Sequence, residues 1–274
     1  MRVSLKIRTG NRFHLLLLLL LSAIGLLIAG CDLFPQTALE RVMDRGELRV
    51  LTRNSATTFY EGPDGASGLE YELAAGFADF LGVELSIEIP DTFAELLEAI
   101  RNADADLAAA GLTITPERTK TLNFGPVYQH ITAQLVYRSG NLKPADLGSV
   151  HGSLEVVADS SHAERLSQLQ MDYPELSFTM NPDLESEELL RLVWEQILDY
   201  TVADSNEIAT NQRYYPELRI AFDISPREPL AWAFPAGKDH SLIDKAEEYF
   251  AELTSSGRLE QLLERYYGHI SSFD

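Results

Sequence analysis

Apolar positions along this chain switch between two spacings, and each switch marks an element. Residues 39–45 read as a short helix stopped by Gly46, and residues 48–52 as a first strand. Residues 54–68, rich in Thr, Gly, Ser and Asp, read as a loop that carries Phe59 and Tyr60. Leu73, Phe77, Phe80 and Leu81 recur at helical spacing up to Gly82, and residues 83–89 alternate as a strand. Asp91 or Thr92 then opens a helix with Phe93, Leu96, Leu97 and Ile100 on one face. The run Leu107–Ala110 is a buried strand ended by Gly111, and Thr115-Pro116 looks like another helix start.

A second alternation follows. Residues 131–137, 154–158, 176–179, 200–203, 218–222 and 230–234 read as strands. Residues 161–170, 185–198 and 205–214 read as helices, and two amphipathic helices close the chain. Strand and helix in alternation predict an α/β protein with sheets flanked by helices. The segments near 128–137 and 214–222 are the places where the chain would pass between two such units. The expected division is a discontinuous first lobe, 39–129 with 221–270, and an inserted second lobe, 130–220. A cleft between lobes joined by two connections can open and close as a hinge.

Composition narrows the partners. The net charge of −20 becomes −24 once the four basic residues of the first 30, Arg2, Lys6, Arg8 and Arg12, are set aside. A surface that acidic argues against nucleic acid and anionic headgroups as partners. Those basic residues precede an apolar stretch that ends in Ile28-Ala29-Gly30-Cys31, the layout of a secretory signal. Cys31 is the single cysteine, so no intrachain disulfide can form. The box at 28–31 resembles the bacterial lipoprotein cleavage site. That resemblance implies a signal peptide over 1–30, a lipid-carrying Cys31, a tether over 31–38 and attachment on the periplasmic side of a membrane. The alternative is an uncleaved anchor with a buried thiol.

The blocks Asp106-Leu-Ala-Ala-Ala-Gly-Leu-Thr-Ile-Thr-Pro-Glu-Arg118 and Phe124-Gly-Pro-Val-Tyr128 resemble the family 3 extracellular solute-binding proteins, many of them amino-acid receptors. Thr201-Val-Ala-Asp-Ser-Asn-Glu207, Arg213-Tyr-Tyr-Pro-Glu-Leu218, Leu230-Ala-Trp-Ala-Phe-Pro235 and Arg265-Tyr-Tyr-Gly-His269 are similar to the solute-binding half of the membrane-bound lytic murein transglycosylases of type F. The likeness covers Leu39 to Asp274. It implies a two-lobed periplasmic-binding-protein type II fold and a small amino-acid or muropeptide ligand. A lytic transglycosylase catalytic domain or a membrane transporter is the implied protein partner. The chain stops at Asp274, where that family's linker to a lysozyme-like domain would begin, so this chain alone is not expected to cleave peptidoglycan. The alternative function is the amino-acid receptor of an ABC transporter.

Residue by residue, the resemblance implies that Arg118 pairs with a ligand carboxylate and Asp204 with its ammonium. Gly111 and Thr113 would offer a carbonyl and a hydroxyl, Ser160 a hydroxyl, and Phe59 or Tyr60 an aromatic wall. Each has a plainer reading. Arg118 could bond Glu117, Asp204-x-x-Glu207 is also a capping box, and Ser161 with Glu164 reads as another, leaving Ser160 as the better ligand candidate. Phe59 and Tyr60 could anchor the loop, and Trp194 and Trp232 read as packing residues. His130, His151 and His162 show no metal-site spacing, and neither metal nor cofactor is expected.

The leader generates the first prediction. Cys31→Ser should abolish both processing and membrane partition, checked by fractionation and intact mass. A soluble mature protein with a free thiol at residue 31 would contradict it.

Overall fold

The computed structural model describes residues 35–63 and 65–268. Cys31, its lipidation and the leader lie outside the described residues. Among those described, no helix is long and apolar enough to cross a membrane.

The chain runs α1 (Ala38–Arg45), β1 (Glu47–Leu51), β2 (Tyr60–Gly62), β3 (Gly65–Ser67), α2 (Leu69–Leu81), β4 (Glu84–Glu88), α3 (Phe93–Arg101), β5 (Leu107–Ala108), β6 (Leu122–Ile131) and β7 (Ala133–Arg138). It continues through β8 (Leu154–Val157), α4 (Ser161–Leu169), β9 (Thr179–Asn181), α5 (Ser186–Trp194), β10 (Tyr200–Asp204) and α6 (Ser205–Asn211). The last elements are β11 (Leu218–Asp223), β12 (Glu228–Pro235), α7 (Ser241–Ser255) and α8 (Arg258–Tyr267).

Two five-stranded sheets result, ordered β4-β1-β5-β12-β6 and β11-β7-β10-β8-β9. In the first, β4, β1 and β5 are parallel, and β12 pairs antiparallel with both β5 and β6. In the second, β10 is parallel to β8 and antiparallel to β7, and β8 is parallel to β9. Each sheet is flanked by helices, so the fold is two-lobed α/β. The chain leaves the first sheet at Ile131 and enters the second at Ala133. It leaves the second at Asp223 and re-enters the first at Glu228. Glu228 faces Ile131 in the β6–β12 ladder, so both connections leave the first lobe side by side. Two adjacent connections restrain twisting between the lobes but leave bending free.

Three clusters of buried side chains hold this together. One lies under α1, α2, α7 and α8, against β1, β6 and β12. Trp232 is its centre, fully buried against Phe77 at 5.6 Å and edge-on to Phe250 at 4.8 Å. Helix α2 approaches α7 at Gly76, where a Cβ would meet the Tyr249 hydroxyl at 2.3 Å. A second cluster joins α3 and the first sheet to Leu189 and Leu190 of α5 and Ala203 of β10. The third fills the second lobe around Leu135, Val156 and Leu166.

Several local expectations need correction. Thr115-Pro116 begins no α-helix. The chain makes a single 3-10 turn at Arg118–Lys120, because Leu122 already pairs with Pro235 in the sheet. Strand β6 runs ten residues through Asn123, Gly125 and Pro126, none of them favourable in a strand. The expected loop at 54–68 contains a small hairpin, Tyr60 facing Ser67. The strand expected at 176–179 begins only at Thr179, and the helices expected to reach Leu198 and Tyr214 stop at Trp194 and Asn211.

One buried carboxylate ties the first lobe to the cleft. Glu70 is 2% exposed and accepts from the Tyr128 hydroxyl, from Trp232 Nε1 at 2.6 Å and from the Gly111 backbone N–H at 2.8 Å. Burial raises its pKa, and the three donors oppose that rise. Glu70→Ala would leave Tyr128 and Trp232 without acceptors at about 1–3 kcal/mol per buried donor. With roughly 2–4 °C lost per kcal/mol, calorimetry should show a melting temperature lower by roughly 4–8 °C or more.

Candidate ligand-binding site

The candidate residues come from strand ends and loops that face one another across the cleft. Gly111 follows β5 with φ +62, a backbone state that tolerates a side chain poorly, and its N–H is fixed by Glu70. Two residues on, Thr113 is buried and bridges to Leu230 of β12. That pairing aims the Thr113 carbonyl at Arg118, whose Nη1 donates to it at 3.0 Å. Arg118 is 3% exposed, and its backbone N–H donates to Thr115 Oγ1 at 3.3 Å. Its guanidinium lies 5.4 Å from the centre of the Phe93 ring. The guanidinium does not bond Glu117, which holds Lys120 instead.

The second lobe meets this wall through the start of α4. Arg118 Nη2 donates to the Asp159 carbonyl at 3.4 Å, and the Ser161 hydroxyl donates to Thr113 Oγ1 at 3.3 Å. Here the expected roles of two serines are exchanged. Ser160 is the helix cap: its hydroxyl accepts from Ala163 N–H at 3.2 Å and donates to the Val157 carbonyl at 2.6 Å. Its φ and ψ are extended, so the helix begins one residue earlier than a cap at Ser161 paired with Glu164 implies. Ser161 is the hydroxyl that reaches the cleft.

Asp204 ends β10 on the second-lobe side. It is 7% exposed, its backbone N–H donates to Glu207 Oε2 at 3.0 Å, and its Oδ1 lies 2.8 Å from His162 Nε2. His162, Asp204 and Glu207 are all buried, with one ligating atom of each within 4.8 Å of the others. No spacing in the sequence showed this, because strand β10 and helix α4 bring together residues 42 apart. The His162–Asp204 hydrogen bond and the cap from Glu207 tie the three groups together, and His162 Nδ1 stays without a hydrogen-bond partner among the described residues.

Two further residues belong to the cleft. Phe93 reads as a helix-face core residue, yet its ring carries both Arg118 and Arg53, the latter at 4.9 Å. Arg53, just past β1, donates through Nε to Glu185 Oε2 at 2.8 Å, across the cleft. Beside it the Ala56 N–H donates to Glu187 Oε1 at 2.7 Å, a second contact between lobes. Both glutamates sit at the start of α5, so a loop after β1 and one helix end latch the cleft. The basic residue two past a strand end was the available signal for Arg53. Phe59 packs edge-on against Tyr71 at 5.5 Å and does not line the cavity that Tyr60 borders. Tyr60 lines a cavity of about 1020 Å³ at the cleft mouth, together with Arg53, Glu185 and Glu187.

Burial and opposing charge set the electrostatics. Burial draws the Arg118 pKa down to about 10, with Glu164 opposing and Arg53 adding to the fall. Burial also lowers Arg53, but Glu185 and Glu207 more than offset it and the net direction is up. Glu207 is raised, first by burial and then by the charge of Asp204. Arg118 Nε is buried without a hydrogen-bond partner. A planar cation on one wall and a carboxylate on the other suit a ligand that carries both charges.

Two lobes on paired connections, closing over such a cleft, define a solute-binding module of the periplasmic-binding-protein type II fold. The profile of bacterial extracellular solute-binding proteins, family 3, matches residues 48–269, and the chain belongs to that family. It is 49% identical over 242 residues to membrane-bound lytic murein transglycosylase F 1 of Alkalilimnicola ehrlichii, covering 88% of this chain and 49% of that protein. It is 39% identical over 274 residues to membrane-bound lytic murein transglycosylase F of Aeromonas salmonicida, covering 100% of this chain and 54% of that protein. The chain thus spans about half the length of the curated relatives it matches. In fold it is similar to a mutant of ArgBP from T. maritima, with TM-score 0.75 at 22% identity over 85% of this chain and 100% of that one. It is also similar to an ancestral arginine-binding protein bound to arginine, with TM-score 0.72 at 23% identity over 82% and 99%.

The latch gives a prediction. Arg53 and Glu185 side chains are only 12% and 25% exposed, and Gln at 185 keeps a hydrogen-bond acceptor but loses the charge, at a cost of about 1 kcal/mol. Glu185→Gln should therefore shift the ligand-free protein roughly fivefold toward open forms. The expected readouts are a larger radius of gyration in small-angle scattering and faster exchange of the Ala56 amide.

Proposed function

We propose that this chain is the exported binding module of a peptidoglycan lytic transglycosylase system, closing on an amino-acid-like or muropeptide ligand. Arg118 receives the ligand carboxylate and Asp204 its ammonium, with Thr113, Gly111 and Ser161 supplying the polar wall between them. Tyr60 borders the mouth. The observation that carries the reading is Arg118 itself, a buried guanidinium at the lobe boundary that, among the described residues, bonds only backbone carbonyls and keeps Nε unpaired. A ligand carboxylate answers that unmet demand better than the Asp159 carbonyl does. The module acts on the periplasmic side of a bacterial membrane, held there by lipidated Cys31. The kinship with the murein transglycosylases favours a sensing role in cell-wall turnover, with a lysozyme-like catalytic domain as partner. A second reading, an amino-acid receptor for a membrane transporter, draws on the likeness of the fold to arginine-binding proteins.

The test is calorimetry with free amino acids and short muropeptides. Removing one partner of a buried, hydrogen-bonded charge pair costs about 2–5 kcal/mol. At ~1.4 kcal/mol per decade, Arg118→Ala should weaken binding on the order of 30-fold or more. Asp204→Asn keeps the shape but loses the charge, and should weaken amino ligands while sparing ligands without an amine. Unchanged affinity in Arg118→Ala would refute the assignment. A lower melting temperature with unchanged affinity in Asp204→Asn would leave Asp204 a helix cap alone.

A further inference from the structure

The sequence treated His162 as a scattered histidine, and the reading of the site above gives it no task. The structure places it 4% exposed at the start of α4, with Nε2 2.8 Å from Asp204 Oδ1 and Nδ1 buried without a hydrogen-bond partner among the described residues. The geometry points to His162 as a positioning residue of the ligand site, one that sets the charge Asp204 can offer to a ligand ammonium. This rests on the reading of Asp204 given under Proposed function.

The argument is one of competing cations. Neutral His162 donates one hydrogen bond through Nε2 and leaves the full carboxylate charge of Asp204 available. Protonated His162 forms a buried ion pair with that same carboxylate. A ligand ammonium arriving there would put a second cation on one acid, with low-dielectric surroundings to magnify the repulsion. Binding of an amine therefore expels the proton from His162. The charged groups facing the ring are Asp204 at the end of β10, Glu207 on α6 and Arg53 from the loop after β1. Burial lowers the His162 pKa, but the charge of Asp204, its hydrogen bond and the charge of Glu207 together carry it above the ordinary 6.5, against Arg53. The free protein then holds more protons than the complex through that region, so affinity rises with pH. The limiting slope for one proton is about tenfold per pH unit. It flattens above the His162 pKa of the free protein.

The experiment has two arms. In the first, wild type and His162→Gln are titrated between pH 5.5 and 8.5 with L-glutamine and the dipeptide L-alanyl-γ-D-glutamate, in buffers of different ionisation heat. Gln places an N–H near the position of Nε2 but cannot take a charge. Both proteins share any titration of the ligand's own amine, so their difference isolates His162. The expected result is a rise in wild-type affinity approaching tenfold per unit, with about one proton released, and a shallower profile with no release in His162→Gln. A slope that survives in His162→Gln, or wild-type binding without proton release, overturns the inference. In the second arm, the His162 ring is followed by NMR in the ligand-free protein and in Asp204→Asn. A His162 pKa above the ordinary value that falls in Asp204→Asn supports the coupling, and one that Asp204→Asn leaves unmoved overturns it. If neither probe binds at any pH, the assignment of an amine ligand is refuted, and the NMR arm still decides on His162.

Discussion

The buried carboxylate of Glu70 is the constraint on which the first wall of the cleft depends. Helix α2 supplies it, β6 and β12 meet it through Tyr128 and Trp232, and the exit from β5 meets it through the Gly111 amide. An acid so buried is costly unless its lone pairs are met. Meeting them requires the aromatic layer around Trp232 to be in register with the loop at 111–113. Thr113 is then aligned with Leu230, and its carbonyl fixes Arg118. The Arg118 guanidinium in the cleft is thus positioned by a chain of contacts that starts in the core of the first lobe.

The second wall is built differently. Its acidic residues are held by one another and by His162, where the end of β10 and the start of α6 meet the start of α4. When the lobes are together, the charges of the cleft already have partners within the protein: Arg53 with Glu185, Asp204 with His162, and Arg118 with two carbonyls. A ligand shifts the lobes only by its differential affinity for the closed state. The Arg118–Asp159 contact, at 3.4 Å, is the weakest of these partnerships and the one a charge-assisted bond would most improve. The apolar cluster that runs from α3 to α5 contributes to closure whether or not a ligand is present, which makes the polar groups the switchable part.

Much of this was legible in the sequence, for physical reasons that also explain the misses. Helices with a wet and a dry face declared themselves through spacing, as in Leu73, Phe77 and Leu81 of α2. The strand-exit block around Gly111 and Thr113 gave the place of Arg118 because a strand end in an α/β sheet is a place rather than a pattern. Strand β6 escaped because Asn123, Gly125 and Pro126 carry no strand propensity, and its long pairing with β12 overrides them. The exchange of Ser160 and Ser161 came from reading Glu164 as the third residue of a capping box, when the cap bonds the backbone of Ala163 instead. Phe93, Arg53 and His162 escaped because their meaning depends on what faces them across the cleft. Apolar periodicity describes one element at a time and says nothing of that.

The acidity of the surface bears on the same site. A net charge of −20 repels any carboxylate-bearing molecule at long range, although the cleft holds Arg118 and Arg53. Salt confines the repulsion, since fields between exposed charges fade beyond about 8 Å at physiological ionic strength. Within the cleft the balance is set by neighbours instead: Arg53 and Arg118 on one ring, against Asp204, Glu207 and Glu185. A ligand with a carboxylate alone would meet those acids unshielded, and one with an amine alone would meet the arginines. Cations beside Phe93 and carboxylates beside β10 form a sign pattern complementary to a molecule that carries both charges, independently of the net charge outside.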